Sequence, residues 1–292
     1  MKVSKKNIAT ILLFLVPGLL IYTYFVVYPV IESGVLSTYS WTHVADKKFV
    51  GLDNYRATFA SSLFWKSVKN SMIFMVSATT LQVVIGFFLG YLVYLQVRGY
   101  RTFKVFFFMP TILPSVAVGF IWSRIFSPSM GIMKPLMTAV GLGEYYVSPL
   151  ADPKLAIAAI ILAQVWSSCG VQIILFNSGF MNISEEVIES ATIDGAKGWS
   201  MIRDMIIPMS METIKMVIIL QLVGSLRAFD LVYMMTTGGP NHATEVLPMH
   251  LFVTAFKNFN FGSGSVIAVV IFVLSMAITM LMRKMLARES LN

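Results

Sequence analysis

Long apolar segments separated by short polar loops constrain this chain more than any other feature of its sequence. A membrane-spanning helix needs about 20 consecutive, predominantly apolar residues. The 292 residues are 57% hydrophobic and only 12% charged, and the mean hydropathy of +0.77 is too high for a soluble domain. The pattern predicts an all-α integral membrane protein with six transmembrane helices, at residues 8–31, 68–94, 103–126, 155–179, 208–235 and 265–282.

Basic residues in the short loops predict how these helices are oriented. Cytoplasmic loops of membrane proteins carry an excess of Lys and Arg. With six helices, three basic segments fall on one side of the membrane, and their residues are Lys2, Lys5, Lys6, Arg98, Arg101, Lys104, Arg283, Lys284 and Arg288. The N- and C-termini and the loop at 182–208 are therefore predicted to be cytoplasmic.

Several classes of function have no support in the residues. The net charge of +8 forms no basic stripe and accompanies no nucleic-acid-binding motif. No phosphate-binding G-x-x-x-x-G-K-[ST] sequence occurs. His43, His242 and His250 lack metal-ligand spacing, and Cys169 is the only cysteine. We expect no catalytic residues, no metal site and no cofactor in this chain, and no nucleic-acid partner.

The stretch from Glu185 to Pro208 is a polar interruption between the fourth and fifth predicted spans. Asn182 and Glu185 have capping-box spacing, so a short helix is predicted to begin there. Gly195 is suited to end that helix, and a second short helix from about residue 198 would place Trp199 and Ile202 together before Pro208 opens the next span. By pattern alone, the stretch is more typical of an interfacial connector on the membrane surface.

The identity of the residues adds a resemblance. Glu189-Ser190-Ala191, then Asp194-Gly195-Ala196, then Met205 to Pro208 resemble the EAA loop of ABC importer permeases. The segments at 49–59 (FVGLDNYRATF) and 64–71 (FWKSVKNS), and the Thr-Gly-Gly-Pro loop with its downstream pattern, resemble permeases of the carbohydrate-uptake type, which includes maltose, multiple-sugar and glycerol-phosphate permeases. The resemblance implies the type I ABC importer permease fold.

The resemblance also implies roles for this loop. In the family its first helix is a coupling helix that docks on a cytoplasmic ATPase, and the glycine makes a bend. The positions that take the coupling role are Glu185, Glu186, Glu189, Ala191, Asp194, Gly195 and Ala196. The implied domains are an N-terminal tail, first helix and outer loop at 1–66, an ABC transmembrane core at 67–284 with the coupling loop at 182–208, and a cytoplasmic tail at 285–292.

The implied function is carbohydrate import, of an oligosaccharide, by ATP-driven alternating access in a bacterial inner or plasma membrane. The implied partners are a second, homologous permease forming a heterodimer, two copies of an ABC ATPase, a periplasmic or extracellular solute-binding protein, and membrane lipid. ATP and Mg²⁺ would belong to the ATPase. Three alternatives stay open: an importer of glycerol-phosphate or another small solute, a secondary carrier, and a membrane scaffold.

Polar residues within the spans are candidates for a substrate path, or for interhelical hydrogen bonds. Gln172 is one such polar residue of the fourth span. Resemblance to the maltose permease implies the positions Trp166, Ser167, Ser168, Val171, Gln221, Gly224, Ser225 and Ala228, with Ser115 as a weaker match. Trp166, Trp122, Phe229 and Tyr233 could stack on a sugar or simply pack in the core. Arg227 and Asp230, three apart, are predicted either to form an ion pair or to leave Arg227 for an anionic substrate.

Overall fold

The computed structural model describes residues 5–42, 47–127 and 131–288, with side chains from residue 13 to residue 284 within those ranges. Residues 1–4 and 289–292 of the predicted tails, and His43, lie outside them. The helices in chain order are α1 (Lys5–Tyr22), α2 (Tyr28–Leu36), α3 (Asp53–Ala60), α4 (Ser62–Tyr94), α5 (Tyr100–Phe108), α6 (Ser115–Ile125), α7 (Met133–Ala139), α8 (Ala156–Met181), α9 (Glu185–Ile193), α10 (Trp199–Met201), α11 (Ile207–Met209), α12 (Met211–Leu226), α13 (Asp230–Met235), α14 (Leu247–Phe252) and α15 (Phe261–Arg288).

Short segments of other helical types extend or link several of these helices. They are π-helical at Thr23–Val27, Ile202–Ile206 and Val253–Lys257, and 3₁₀-helical at Met109–Ile112 and Gly143–Tyr145. Two short antiparallel strands, β1 (Tyr39–Trp41) and β2 (Lys47–Phe49), are absent from the all-α prediction. They lie in a predicted polar loop and leave the helical fold class unchanged.

Four helical segments of the described chain are long and apolar enough to cross a membrane: Leu13–Leu36, Ser62–Tyr94, Ala156–Met181 and Phe261–Lys284. Two bent pairs bring the number to six if each pair is one span: Tyr100–Ile112 with Ser115–Ile125, and Trp199–Met209 with Met211–Leu226. These six segments correspond to the six predicted spans. The membrane fold is confirmed, but the third and fifth spans are not the continuous helices that the hydropathy predicts.

Proline explains the break in the third span, where α5 and α6 meet at 102°. Leu113, directly before Pro114, has an extended backbone (φ −73°, ψ 134°). A proline disfavours the α-helical conformation of the residue before it and itself lacks an amide donor. The chain therefore leaves the helix at Leu113 and starts a new one at Ser115.

The fifth span bends by 73° at Ser210. Pro208 stands two residues earlier, and the buried Ser210 Oγ donates a hydrogen bond to the Ile206 carbonyl at 2.6 Å. Serine hydroxyls that bond back to the preceding turn often bend helices. Helix α12 then ends at Leu226, and α13 begins at Asp230. The helix predicted over 208–235 is therefore interrupted twice, at Ser210 and between Leu226 and Asp230.

The chain folds as two compact units, Met1–Ser62 with His250–Val273, and Leu63–Met249 with Leu274–Asn292. In the first unit, Asn54 Nδ2 donates hydrogen bonds to the carbonyls of Ser37 and Tyr39, at 2.9 and 2.8 Å. The rings of Trp41 and Phe261 pack with their centroids 4.6 Å apart. These contacts join α2, β1, α3 and the start of α15. The predicted domain boundary at residue 66 stays a prediction.

In the second unit, α4 and α8 pack closely along small residues. A Cβ on Gly90 would lie 2.9 Å from Phe176 Cβ, so the helices approach closely only because a glycine is there. Aromatic rings then fill the space near the end of both helices. We call the following group the Phe180 cluster: Phe87, Phe176, Phe180, Ile183, Ala191, Met201, Ile206 and Val217, all buried.

Candidate functional site

The segment from Glu185 to Pro208 begins with α9. Ser184 is its N-cap: the backbone there is extended, and Ser184 Oγ accepts a hydrogen bond from the Val187 amide at 3.4 Å. Such a side chain satisfies a free amide of the first turn. The predicted N-cap at Asn182 is wrong, because Asn182 is the C-cap of α8 and Ser184 is the N-cap of α9.

One face of α9 packs on the protein and the other is open. Ala191 is 5% exposed and belongs to the Phe180 cluster, and Ile188 packs against that cluster. The open face carries four exposed carboxylates, those of Glu185, Glu186, Glu189 and Asp194. Ala191 therefore lies on the packed face of α9, where it contacts the membrane helices, and not on the open face.

Two glycines turn the chain after α9. Gly195 has φ +88° and Gly198 has φ +54°, a left-handed range that favours glycine. The Ala196 amide donates to the Ala191 carbonyl at 2.9 Å, which closes the end of the helix, and Ala196 then packs on the Phe180 cluster. The sequence predicts the bend at Gly195. The second turn is a further element of this site, and its sequence signal is Gly198 itself.

The second half of the segment is a helical stretch from Trp199 to Met209, bent from α12 at Ser210. Trp199 is 60% exposed and stacks on Phe88, with ring centroids 6.4 Å apart. Ile202 instead packs on the Phe180 cluster. The predicted pairing of Trp199 with Ile202 stays a prediction, and the structure adds the further partners of the two side chains.

A cavity of about 320 Å³ lies beside α9. Its walls combine apolar side chains with three carboxylates, and the lining residues are Glu186, Val187, Ser190, Ala191, Asp194, Ala196, Asp204 and Met205. Ile193, at the end of α9, is 85% exposed. The open side of this segment is therefore acidic, with an exposed apolar residue beside the carboxylates. The predicted coupling positions did not include Ile193, Asp204 or Met205.

Two of the predicted substrate-lining residues of α8 face α4. Ser168 Oγ accepts a hydrogen bond from Gln82 Nε2 at 2.6 Å and donates one to the Gln164 carbonyl at 2.6 Å. Gln172 is fully buried, and its side-chain amide has no hydrogen-bond partner within the described chain. In this conformation both residues contribute to the contact between α4 and α8. This agrees with the alternative in which polar residues of the spans serve helix packing rather than a substrate path.

The other predicted residues of α8 retain some open surface. Trp166 is half-buried, Ser167 Oγ donates to the Gln164 carbonyl at 3.0 Å, and Val171 is 39% exposed. The rings of Trp166 and Trp122 meet edge to face, with centroids 5.7 Å apart. Trp166 therefore takes part in aromatic packing while part of its surface stays accessible.

The predicted residues of α12 differ in burial. Gln221 is half-buried, Gly224 is exposed, and Ser225 is buried. A Cβ added to Gly224 would have no atom within 4 Å, so there is open space at that position. Ala228 is not on α12, because it lies in the break before α13, where it is half-buried. The candidate substrate-lining residues of this span therefore lie at the end of α12 and in the break after it, and do not form one continuous helical face.

Arg227 and Asp230 do not form the predicted ion pair. Arg227 ends α12 and Asp230 begins α13, so they do not share a helical face. Asp230 Oδ2 instead accepts a hydrogen bond from Ser115 Oγ at 2.5 Å. The exposed Arg227 side chain has no ion-pair partner in the part of the chain that the structure describes. Ser115 thereby joins the same region as Arg227.

Phe229 and Tyr233, the remaining aromatic candidates, stack on each other with centroids 5.3 Å apart and planes at 25°. Offset stacking of this kind stabilises an aromatic pair beyond its burial. Both residues are half-buried. Phe229 is the N-cap of α13 and Tyr233 lies one turn further on, so their stacking packs the two rings together at the start of α13.

Polar side chains near the start of α4 hold the loop that follows α13. Asn70 Nδ2 donates hydrogen bonds to the carbonyls of His242 and Glu245, both at 3.1 Å. Ser71 Oγ accepts one from the Leu247 amide at 2.8 Å. The two residues belong to the FWKSVKNS segment, and the structure shows that this segment fixes the Gly-Gly-Pro loop.

The described residues contain no group of three or more His, Cys, Asp or Glu side chains that could hold a metal ion. Cys169 is buried within α8. Broken membrane helices with partly open polar positions at their breaks are typical of membrane transport proteins.

Comparison with known proteins gives the family. Residues 82–290 match the family described as "Binding-protein-dependent transport system inner membrane component", and the chain belongs to this family. A probable ABC transporter permease of Pyrococcus horikoshii is 29% identical, over 92% of this chain and 93% of its own. The multiple sugar-binding transport system permease MsmF of Streptococcus mutans is 28% identical, over 93% of each chain.

A solved structure supports the fold. A chain of the bacterial alginate ABC transporter, solved in complex with an alginate-pentasaccharide-bound periplasmic protein, superimposes with a TM-score of 0.85 at 19% identity. The match covers 97% of this chain and 96% of that chain. The type I ABC importer permease fold that the resemblance implies is confirmed.

Proposed function

We propose that this permease subunit imports a carbohydrate, and that α9 is the helix through which a separate ATPase drives it. The observation that carries the proposal is the arrangement of α9. Its carboxylates face outward, while Ala191 and Ile188 pack inward on the Phe180 cluster. Because α4 and α8 both contribute rings to that cluster, a displacement of α9 is passed directly to two membrane spans.

Aromatic packing makes this transmission stiff. The Phe87 ring of α4 meets the Phe176 and Phe180 rings of α8 edge to face, at 5.5 and 5.2 Å. Close-packed interiors transmit strain and tend to move as units. ATP-driven closure of the ATPase would then rock these helices between inward- and outward-facing states. ATP and Mg²⁺ would bind to the ATPase, and this chain would supply only the mechanical connection.

The open side of α9 supports a docking role. Its four carboxylates complement a basic groove, and the exposed Ile193 offers an apolar contact at the end of the helix. In the importer we propose, this chain forms a heterodimer with a homologous permease, and each permease docks one of two ATPase copies. Gly195 supplies the bend after the docking helix.

A carbohydrate suits the groups around the broken spans. Ser115 and Gln221 can hydrogen-bond to hydroxyls, and Trp166 offers an aromatic face. The open space at Gly224 leaves room for a bulky solute. The S. mutans relative is named for multiple sugars, which supports this substrate class. Among sugars we propose an oligosaccharide.

The loop fixed by Asn70 and Ser71 is proposed as part of the docking surface for a solute-binding protein. The orientation is the one predicted by the basic loops, with both termini and α9 in the cytoplasm of a bacterium. The first span, Leu13–Leu36, is 0% buried within this chain. That open apolar surface is available to the lipid and to the second permease.

Co-purification tests the assembly. The tagged chain is extracted from its host in mild detergent, and the retained proteins are identified by mass spectrometry, with an established importer as the control for detergent stability. Retention of a second permease and an ATPase supports the proposal. Recovery of the chain alone, while the control importer stays intact, would instead favour a secondary carrier or a scaffold.

A second candidate, import of an anionic solute such as a sugar acid or glycerol-phosphate, is favoured by the free Arg227 side chain. Arg227→Gln should then abolish uptake of the anion and Arg227→Lys should retain part of it, with assembly unchanged in both. Equal uptake by the Gln variant and the parent rejects this role of Arg227.

A further inference from the structure

A second cavity, of about 430 Å³, lies at the other end of α9 and shares no lining residue with the first. The ends of α4 and α8, the turn after α4, the start of α5 and the first residue of α9 enclose it. Its lining residues are Val93, Tyr94, Gln96, Tyr100, Lys104, Asn177, Met181, Ile183 and Glu185. Of these residues, only Glu185 also belongs to the proposed docking side of α9.

The cavity contains two opposite charges that do not pair with each other. Lys104 and Glu185 are both exposed, and neither makes an ion pair within the described residues. Among the described residues, the acceptor of Asn177 Nδ2 is the Met181 sulfur, at 3.5 Å, and a thioether is a weak acceptor. A ligand that carries both charges and accepts hydrogen bonds would satisfy all of these groups together.

The position of the cavity identifies the source of such a ligand. Tyr94 is the last residue of the span Ser62–Tyr94, and Met181 is the last of Ala156–Met181. The cavity therefore lies at the depth of lipid headgroups, where tyrosines are enriched and lysines extend toward the interface. Met181 is 68% exposed, and Val93 supplies further apolar surface beside the polar groups.

We propose that this cavity binds the headgroup of a phosphatidylethanolamine lipid. The phosphate would accept hydrogen bonds from Lys104 and Asn177, and the primary ammonium would donate to Glu185. The acyl chains would leave past Met181 into the bilayer. A trimethylated ammonium cannot donate hydrogen bonds, and an anionic headgroup meets the Glu185 carboxylate unfavourably. The site therefore selects phosphatidylethanolamine over phosphatidylcholine and phosphatidylglycerol.

Native mass spectrometry of the intact, purified transporter tests this site. The complex is exchanged into detergent with equal amounts of the three lipids, and the lipids that stay bound are identified and counted. The parent should retain phosphatidylethanolamine in preference to the other two. Losing one charge-assisted hydrogen bond at an open site reduces affinity by about fivefold, so Lys104→Gln should lower retention of this lipid by that factor.

Two further variants separate the contacts. Glu185→Gln should remove the preference for phosphatidylethanolamine over phosphatidylcholine, because the ammonium loses its carboxylate. Arg98→Gln is the matched control, since Arg98 is an exposed cation in the turn before α5 and does not line the cavity. It should leave retention unchanged. Co-retention of the second permease, recorded in the same spectra, shows that each variant has folded, because Glu185 is also proposed to contact the ATPase.

Three results would overturn the proposal. One is equal retention of the three lipids by the parent, and another is unchanged retention by Lys104→Gln. The third is displacement of the lipid by soluble glycerophosphoethanolamine at an equal concentration, which would make the cavity a site for a free metabolite. Loss of the ATPase by Lys104→Gln with lipid retention unchanged would mark the cavity as a subunit contact instead.

Discussion

Ser115 Oγ donates a hydrogen bond to Asp230 Oδ2 at 2.5 Å, and each residue is the first of a helix that follows a break. Pro114 precedes Ser115, and Phe229 precedes Asp230. At the adjoining helices, α6 and α13, a Cβ on Gly119 would lie 2.7 Å from Met234 Cβ. Breaks within a membrane free backbone groups that need a protein or aqueous environment. The two breaks meet each other, which brings polar groups of two spans together.

Removing the Ser115 hydroxyl should loosen this junction. Both residues are exposed, so the loss is discounted for solvent, and Ser115→Ala is expected to reduce uptake in proteoliposomes by about threefold. Ser123→Ala is the matched control, because Ser123 Oγ bonds only to the Phe120 carbonyl of its own helix. Equal uptake by the two variants would show that the junction does not matter for transport.

Reversing the charge at Glu189 should separate ATP hydrolysis from uptake. The Glu189 carboxylate is exposed on the open face of α9, so lysine is tolerated by the fold but opposes a basic partner groove. Uptake is expected to fall by at least about tenfold with insertion into the membrane unchanged. Glu144→Lys, in an exposed turn distant in sequence from α9, should behave like the parent. Normal coupled uptake by Glu189→Lys would contradict docking at this position.

Enlarging Ala191 should lift α9 from the Phe180 cluster. An overpacked core costs roughly 1–3 kcal/mol, and Ala191 is 5% exposed. Ala191→Leu is therefore expected to lower the melting temperature of the detergent-solubilised complex and to weaken retention of the ATPase. Thr192→Leu adds a leucine at the neighbouring exposed position and should leave the melting temperature unchanged. Similar melting temperatures for the two variants would refute the packing role.

Residues whose effect is local could be predicted from the sequence. The bend at Gly195 depends on the backbone freedom of one residue, and the exposure of Glu189 follows from polarity on a short amphipathic helix. The breaks at Pro114 and Ser210 could not be placed, because proline is tolerated within membrane helices when neighbouring groups satisfy the freed carbonyls. Whether a proline breaks the span depends on those neighbours.

The face of each membrane helix that packs on its neighbours also could not be predicted from the sequence. In a soluble helix an apolar stripe marks the buried face, but a membrane helix is apolar all round and carries no such stripe. Ser168 and Gln172 therefore had equal claims to a substrate path and to helix packing, and the structure places both against α4. Ala191, similarly, belongs to the coupling motif by sequence, yet the structure places it on the inner side of α9.

The two glycines Gly86 and Gly224 should separate packing from substrate contact. A Cβ on Gly86 would lie 2.3 Å from Gln172 Cβ, whereas a Cβ on Gly224 would meet nothing within 4 Å. Gly86→Ala must therefore push α4 from α8, at a cost of roughly 1–3 kcal/mol for overpacking. We expect it to lower the melting temperature of the solubilised complex, with uptake per folded transporter largely retained.

Gly224→Ala should instead impair uptake and leave the stability of the complex unchanged. The added methyl group fits the open space, so the melting temperature stays that of the parent, but it narrows the proposed path beside Gln221. Uptake measured over a range of carbohydrate concentrations should then show a raised KM, of about threefold for a lost or displaced contact. If Gly224→Ala left both the melting temperature and KM unchanged, α12 would not line the substrate path at this position. If Gly86→Ala left the melting temperature unchanged, α4 and α8 would not be in close contact at Gly86.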